Sequence, residues 1–565
     1  MIAVALTFGI VACWGIVGYA LTSFLLPRRP ALSNLLLAPS LGMGTLELAA
    51  HIGLRCGSPV GPIAHEIVFT ALLLALAVLL VRRPPIPLRQ AWPFGLILLV
   101  AVPLTAWPMF RWGGDWIANA NEDMSNYCLA GTAYREHGFL SLPIEEYLSG
   151  QDLTHGAWFL YSDRVGHRHG CEMSLAMTST IASMPVPMIF MPVIIASHLA
   201  LICATGFLTC RLAEGRKVAI ISCGLMAISP LSTYGVVQQL IAQVGGLALL
   251  VSTTGLFFRP ARRLPVVGYL KRGVLGGILG ASLVLHYVES LPFLVAGFGL
   301  HVTIGFARGQ RDLKQLALVA IAAIPAAALI GGFLFETANY LLNQIAFGQA
   351  INPIHLTVFP QYLNGEGFAR LWGFETVFQP VSVSPNSPWP VHRLVVLGGL
   401  GLLLSLTAGI ALAWRRRPIG VMSLVILGVA VMLYRSSHAF ALFKLAMYAQ
   451  PFILGTVALG WARMNPGRWK QAGFLCLLTL VPLQLTTQYQ YVSLSGGLPY
   501  SGGSMPGATR ERLLTQFRDA FQTPGAKRFV VPINDRVMAK LAASCSRGVT
   551  LCYPCTELCP ILRGG

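Results

Sequence analysis

Charge is scarce in this sequence. Only 11% of its 565 residues are charged and just 21 are acidic, whereas a soluble domain carries about 25% charged residues. The polar linkers that would divide a soluble chain of this length into separate cores are missing too. There is no Walker A loop, no His-Glu-x-x-His and no Gly-x-Ser-x-Gly. That argues against ATP-driven pumping and against nucleotide-sugar chemistry in a soluble domain. Heptads, internal repeats and low-complexity tracts are also lacking.

What is present is apolar. Hydrophobic residues make up 55% of the chain, with a mean hydropathy of +0.66. Apolar runs of spanning length recur almost to residue 490. In lipid each must be helical, because no water is there to satisfy free backbone groups. Spans are expected near 3–26, 31–54, 65–81, 92–109, 186–209, 217–232, 237–258, 273–288, 290–307, 315–342, 394–414, 418–434, 444–462 and 471–487. The fold class is thus an all-α polytopic membrane protein with about fourteen transmembrane helices.

The net charge of +19 invites a nucleic-acid reading, but its distribution speaks for topology. Basic clusters punctuate the runs: Arg28-Arg29, Arg82 to Arg89, Arg211 to Lys217, Arg259 to Arg272, Arg308 to Lys314, Arg415 to Arg417 and Arg463 to Lys470. They hold 22 of the 40 basic residues and only Glu214 and Asp312 of the acids, so they carry +20 and the rest of the chain −1. That is the positive-inside pattern, with attraction to anionic lipid heads and no nucleic-acid partner. The first run lacks a preceding basic segment, so residues 3–26 are expected to stay as a span with the N-terminus outside. An even span count puts both termini outside the cytoplasm, and a bacterial inner membrane is the expected location.

The organisation follows: N-terminal spans over 1–109, an extracytoplasmic loop over 110–185, a transmembrane core over 186–487 with an outer loop at 343–393, and a tail over 488–565. The first loop holds nine acids. The tail reads as a small C-terminal α/β extracytoplasmic segment: a helix over 508–521, a strand at 528–532, a helix over 535–543 and a strand at 549–552. Its cysteines, Cys545, Cys552, Cys555 and Cys559, are expected as disulfides rather than zinc ligands outside a membrane. Cys128 and Cys171 of the loop form a further candidate pair.

Chemistry concentrates after the fourth span. Gly113-Gly114-Asp115-Trp116 leads to Asn121-Glu122-Asp123-Met124-Ser125-Asn126-Tyr127, then Ala130, Ala133, Tyr134 and His137-Gly138. Glu122 to Glu136 reads as a helix stopped by Gly138. Asp123 and Tyr127 are neighbours one turn apart. An acid just outside a span, then Asp-x3-Tyr and a small-residue helix ending in His-Gly, resembles the first external loop of the GT-C glycosyltransferases. Those polytopic enzymes transfer sugar from a polyprenyl-phosphate donor. The resemblance implies that Asp123 is the catalytic base or metal-binding acid, with Glu122 and Asp115 as alternatives. One feature departs from the family: four spans precede the acid here, where one is common. A divalent metal is compatible with such a site and not required by it.

Three further clusters are candidates for substrate binding. Arg164, His167, Arg168 and His169 lie within six residues before an apolar helix, and could grip a phosphate. This stretch resembles the basic end of the GT-C first loop. His286 and Glu289 interrupt an apolar run where two short spans meet. Arg435 and Lys444, few among outward-facing cations, suit a lipid phosphate, although interfacial anchoring explains them equally. Tyr127 is the expected partner of Asp123. Glu47 and His51, four apart in the second span, face a cavity or the core and receive no role.

The expected function is transfer of a sugar from a polyprenyl-phosphate donor to an extracytoplasmic acceptor, whose identity the residues do not specify. Two alternatives stand beside it: a transporter or flippase for a lipid-linked or anionic substrate, and a non-catalytic membrane subunit of an envelope-assembly complex.

Overall fold

A computed structural model describes residues 1–27, 31–119, 122–138, 169–210, 215–258, 265–310, 313–358, 362–375, 391–495, 513–522, 528–530, 536–546 and 550–552. The first four helices are α1 (Ile2–Leu25), α2 (Ala31–Arg55), α3 (Val60–Arg82) and α4 (Leu88–Trp112). Pro59 and Pro87 immediately precede α3 and α4, where a missing N–H costs nothing. Helices α1 and α2 cross so closely that a Cβ at Gly18 would collide with the Ala38 carbonyl, and one at Gly42 with that of Trp14. Small residues at a crossing let backbones touch, which is how helices associate in lipid.

Two shorter helices, α5 (Glu122–Glu136) and α6 (Gly170–Ala182), pack on each other and on α3 and α7 (Val186–Cys210). Then follow α8 (Gly215–Ala227), α9 (Pro230–Val237), α10 (Ile241–Phe257), α11 (Val266–Tyr287) and α12 (Leu291–Ala307). Next come α13 (Leu313–Ile330), α14 (Phe333–Val358), α15 (Glu366–Leu371), α16 (Val391–Trp414), α17 (Pro418–Arg435), α18 (Ala439–Arg463) and α19 (Arg468–Ser495). The core sits around α7, apolar on every side and enclosed by α1, α2, α6, α8 and α10. Leucines of the outer helices, among them Leu73, Leu80, Leu403 and Leu475, are exposed. Such faces suit lipid, and the protein is an integral membrane protein.

Among the described residues ten helices are long and apolar enough to cross a membrane, or up to twelve if each of two bent pairs is one span. The difference from the expected fourteen lies in two places. The expected pair 273–288 and 290–307 forms one run of 42 residues, Val266–Ala307, interrupted only by a 3-10 turn at Val288–Ser290. The span expected at 237–258 is the 17-residue α10, below spanning length. The bent pairs are α8–α9, turned by 48°, and α13–α14, turned by 96°. Gly331, at φ +58°, makes the second bend, donating its N–H to the Ala327 carbonyl at 2.8 Å.

The described tail holds α20 (Leu513–Phe521) and α21 (Arg536–Cys545). It also holds two three-residue strands, β1 (Arg528–Val530) and β2 (Thr550–Cys552), paired in parallel with Phe529 opposite Leu551. Helix α21 packs on α5. The bases of the helices that carry Arg82, Arg272, Arg308 and Arg416 form one end of the bundle, here the basic end. The end formed by α5, α6 and the tail is the loop end.

Candidate functional site

Helix α5 has the bounds its sequence predicts, Glu122 to Glu136. Asp123 stands exposed in its first turn, where a carboxylate is favoured by the helix dipole. Tyr127, one turn on, is buried, its ring 6.4 Å from that of Phe190. The Glu122 side chain lies outside the described residues, as do Arg164, His167 and Arg168. Asp115 has a different occupation. It is buried, and its two oxygens accept the Thr515 N–H at 2.8 Å and the Thr515 hydroxyl at 2.6 Å. Thr515 is the third residue of α20, whose N–H has no partner within the helix. Asp115 thereby caps the tail helix from 400 residues away. Lys540 of α21 adds a bond to Asn126 at 2.8 Å.

Beneath α5 and α6 lies a cluster of ionisable groups that the sequence does not announce. Glu47 of α2 is fully buried. Both its oxygens lie 3.0 Å from His286 Nδ1, and Oε1 also accepts the Ser174 hydroxyl at 2.7 Å. A buried carboxylate is costly unless paired and hydrogen-bonded, and these two donors meet that demand. His169 precedes α6. Its N–H donates to the Leu285 carbonyl at 3.2 Å, and its Nδ1 meets the Tyr134 hydroxyl. Burial first, then the nearby Glu172, pushes that phenol well above its usual range. Tyr134 therefore keeps its proton and can donate it to Nδ1. Glu172 is itself buried and accepts the Cys171 thiol at 3.0 Å.

The sequence pairs His286 with Glu289, and the fold separates them. Tyr287 leaves the helix at φ −158°, ψ 78°, so His286 turns to Glu47 while Glu289 accepts the Tyr340 hydroxyl at 2.9 Å. Tyr287 itself bonds the Tyr448 hydroxyl of α18.

Arg435 and Lys444 also part company. Arg435 ends α17, exposed, on the rim of a cavity of about 510 Å³ bounded by α15, α16, α17 and α18. Its wall is mostly apolar, with Phe368, Leu402, Leu406, Ile426 and Phe452. Lys444 is half-buried with its ammonium 4.8 Å from the Phe440 ring and lines no part of this cavity.

Glu47, Ser174, Tyr134 and Tyr340 are the site residues that sequence reasoning leaves without a role. The available signal was Glu47 and His51 one turn apart in an apolar span. Cys128 and Cys171 are not bridged to each other, and among the described residues Cys545 forms no disulfide, while the side chains of Cys552, Cys555 and Cys559 lie outside the described residues. Among the described residues no group of three or more His, Cys, Asp or Glu is placed to hold a metal. A scan of protein-family models finds no match, and a search of curated proteins finds none either.

Proposed function

We propose that this chain is a membrane-embedded glycosyltransferase of the GT-C kind, taking its sugar from a polyprenyl-phosphate donor at the extracytoplasmic face of a bacterial inner membrane. The observation that carries the reading is the apolar cavity with Arg435 and Tyr434 on its rim. Such a cavity suits a lipid chain with an anionic head. Asp123 takes the proton from an acceptor hydroxyl as that oxygen attacks the anomeric carbon. The bond from that carbon to phosphate oxygen breaks, and polyprenyl phosphate leaves with its charge offset by arginine. Arg435 and the loop arginines Arg164 and Arg168 are the proposed sources of that charge, and Glu122 is the alternative base. The finer organisation belongs to the same proposal: fourteen crossings, both termini outside and an α/β tail. The test is transfer from a labelled polyprenyl-phosphate sugar by the purified chain. Asp123→Asn should lower the rate by about 10²–10⁴-fold with folding intact. Unchanged transfer by Asp123→Asn and Glu122→Gln would remove α5 from the mechanism.

A second reading, a transporter for a lipid-linked or anionic substrate, is favoured by one observation, the intramembrane Glu47–His286 pair. Movement of a labelled lipid across a vesicle without transfer would select it.

A further inference from the structure

The α13–α14 bend lies directly over the buried cluster. His51 Nε2 is 3.4 Å from the Ile330 carbonyl. Phe333, fully buried, sits between two imidazoles, its ring 5.4 Å from that of His51 and 4.7 Å from that of His169. Arg55, one turn past His51, stacks on Phe333 at 5.6 Å and pairs with Glu336 at 2.7 Å. Further along, Tyr340 holds Glu289. The inner stripe of α14 is thus Phe333, Thr337 and Tyr340, while Phe335 and Leu342 face outward. Helix α14 covers the loop end of the cluster and Phe333 plugs it.

Inside, two nitrogens await a proton or a partner. Among the described residues His51 Nδ1, which is buried, has no hydrogen-bond partner. His286 Nε2 lies beside the Ile241 carbonyl without bonding it in this geometry. A Cβ at Gly245 would collide with that nitrogen, so α10 gives the imidazole its room. Buried polar atoms are paired in nearly all proteins, and exceptions call for a reason.

We propose that Glu47 and His286, with His169 and Tyr134 beside them, form an intramembrane proton-binding site closed at the loop end by Phe333. The pair holds one exchangeable proton. With it, the Glu47 carboxylate faces an imidazolium whose Nε2–H can donate to Ile241. Without it, the carboxylate faces neutral imidazole and the site keeps one buried negative charge. The groups that tune it come from every packed element: His51 and Arg55 on α2, Tyr134 on α5, His169, Cys171 and Glu172 at α6, and Glu336 on α14. Helix α10 brings no titratable group, only Gly245 and the Ile241 carbonyl. The site stands whether or not the chain transfers sugar, because nothing in it depends on Asp123 or the α17–α18 cavity.

The experiment is infrared difference titration of the full chain in nanodiscs between about pH 4 and 9, the range of buried carboxyl and imidazole groups. One titrating component is expected that disappears in both Glu47→Gln and His286→Gln. Ser174→Ala, which removes a donor to the carboxylate and leaves both titrating groups, should move its midpoint without abolishing it. An unchanged component in Glu47→Gln overturns the site. Should that variant fail to fold, an unmoved midpoint in Ser174→Ala overturns it instead. Closure is read separately, from alkylation of the native Cys171 thiol mapped by mass spectrometry. Phe333→Ala should accelerate it at least about tenfold, since opening then no longer requires lifting α14. An equal rate in the two proteins overturns the role of Phe333.

Discussion

At the basic end of the bundle, charges meet backbone; at the loop end, charges meet one another. Arg272 donates to the Leu256 carbonyl at 3.1 Å, Arg308 to Trp414 at 2.9 Å, Arg82 to Phe24 at 3.2 Å and Arg216 to Arg89 at 3.0 Å. The Leu256, Trp414 and Phe24 carbonyls lie at or near a helix C-terminus, where a cation both satisfies an orphan acceptor and opposes the dipole for about 0.3–1 kcal/mol, while Arg89 lies in the first turn of α4. The loop end instead buries Glu47, His51, His169, Glu172 and His286. Desolvating such groups costs several kcal/mol each, and their mutual attraction roughly returns it. Stability therefore accounts for the basic end. It does not account for the loop end, where apolar residues of equal volume would hold the helices together as well. The difference is the ground for the proton-binding site proposed at the loop end.

The sharpest way to break this comparison is Glu47→Ala. It strands His286 and Ser174, and should cost about 3–5 kcal/mol in unfolding experiments in detergent. A loss below about 1 kcal/mol would mean that the pair is wet and the contrast false. Cys545 offers the next effect. Burial first, with Asp115 adding to it, pushes its thiol from 9.0 up to about 12. At pH 8 the folded chain should hold roughly a thousandfold less thiolate there than an ordinary cysteine, since each pH unit is tenfold. Alkylation of Cys545 should be correspondingly slow, and should recover in denaturant. Asp115→Ala is expected to cost about 0.5–2 kcal/mol, the range for losing a helix cap. Limited proteolysis should then release the tail faster while the spans stay intact. Arg308→Ala, at the exposed basic end, should change stability by less than about 1 kcal/mol.

Much of the architecture was legible because it depends on local pattern. Apolar runs mark helices wherever the chain sits in lipid, and Gly138 with its preceding small residues bounds α5 correctly. The shortfall in span count comes from apolar stretches too long for one crossing and short for two, where composition alone sets no break. The site was less legible, because its partners are far apart in sequence. Glu47 and His286 are separated by 239 positions, and Glu47 and Ser174 by 127. No spacing rule links them; packing of α2 against α6 and α11 does. Sequence proximity even misled. His286 and Glu289 belong to different clusters because one residue, Tyr287, departs from helical geometry between them. The position of Asp115 just outside a span makes it a candidate base on sequence alone, where the tail helix that returns to bond it cannot be seen.

Helix α7 has a consequence for how the chain is made. Of its 25 residues 24 are buried, so it keeps no face for lipid. Yet several of its neighbours, among them α8, α10 and α18, are synthesised after it. On leaving the translocon α7 meets α1, α2 and α6 but bares its other faces to acyl chains, and it exchanges these for protein only as the later helices arrive. Assembly cannot close before residue 463, the end of α18. Until then α7 presents a bare surface to other half-made membrane proteins. Truncations ending between α10 and α18 should accordingly be recognised by membrane quality control, while those ending after α18 should survive it.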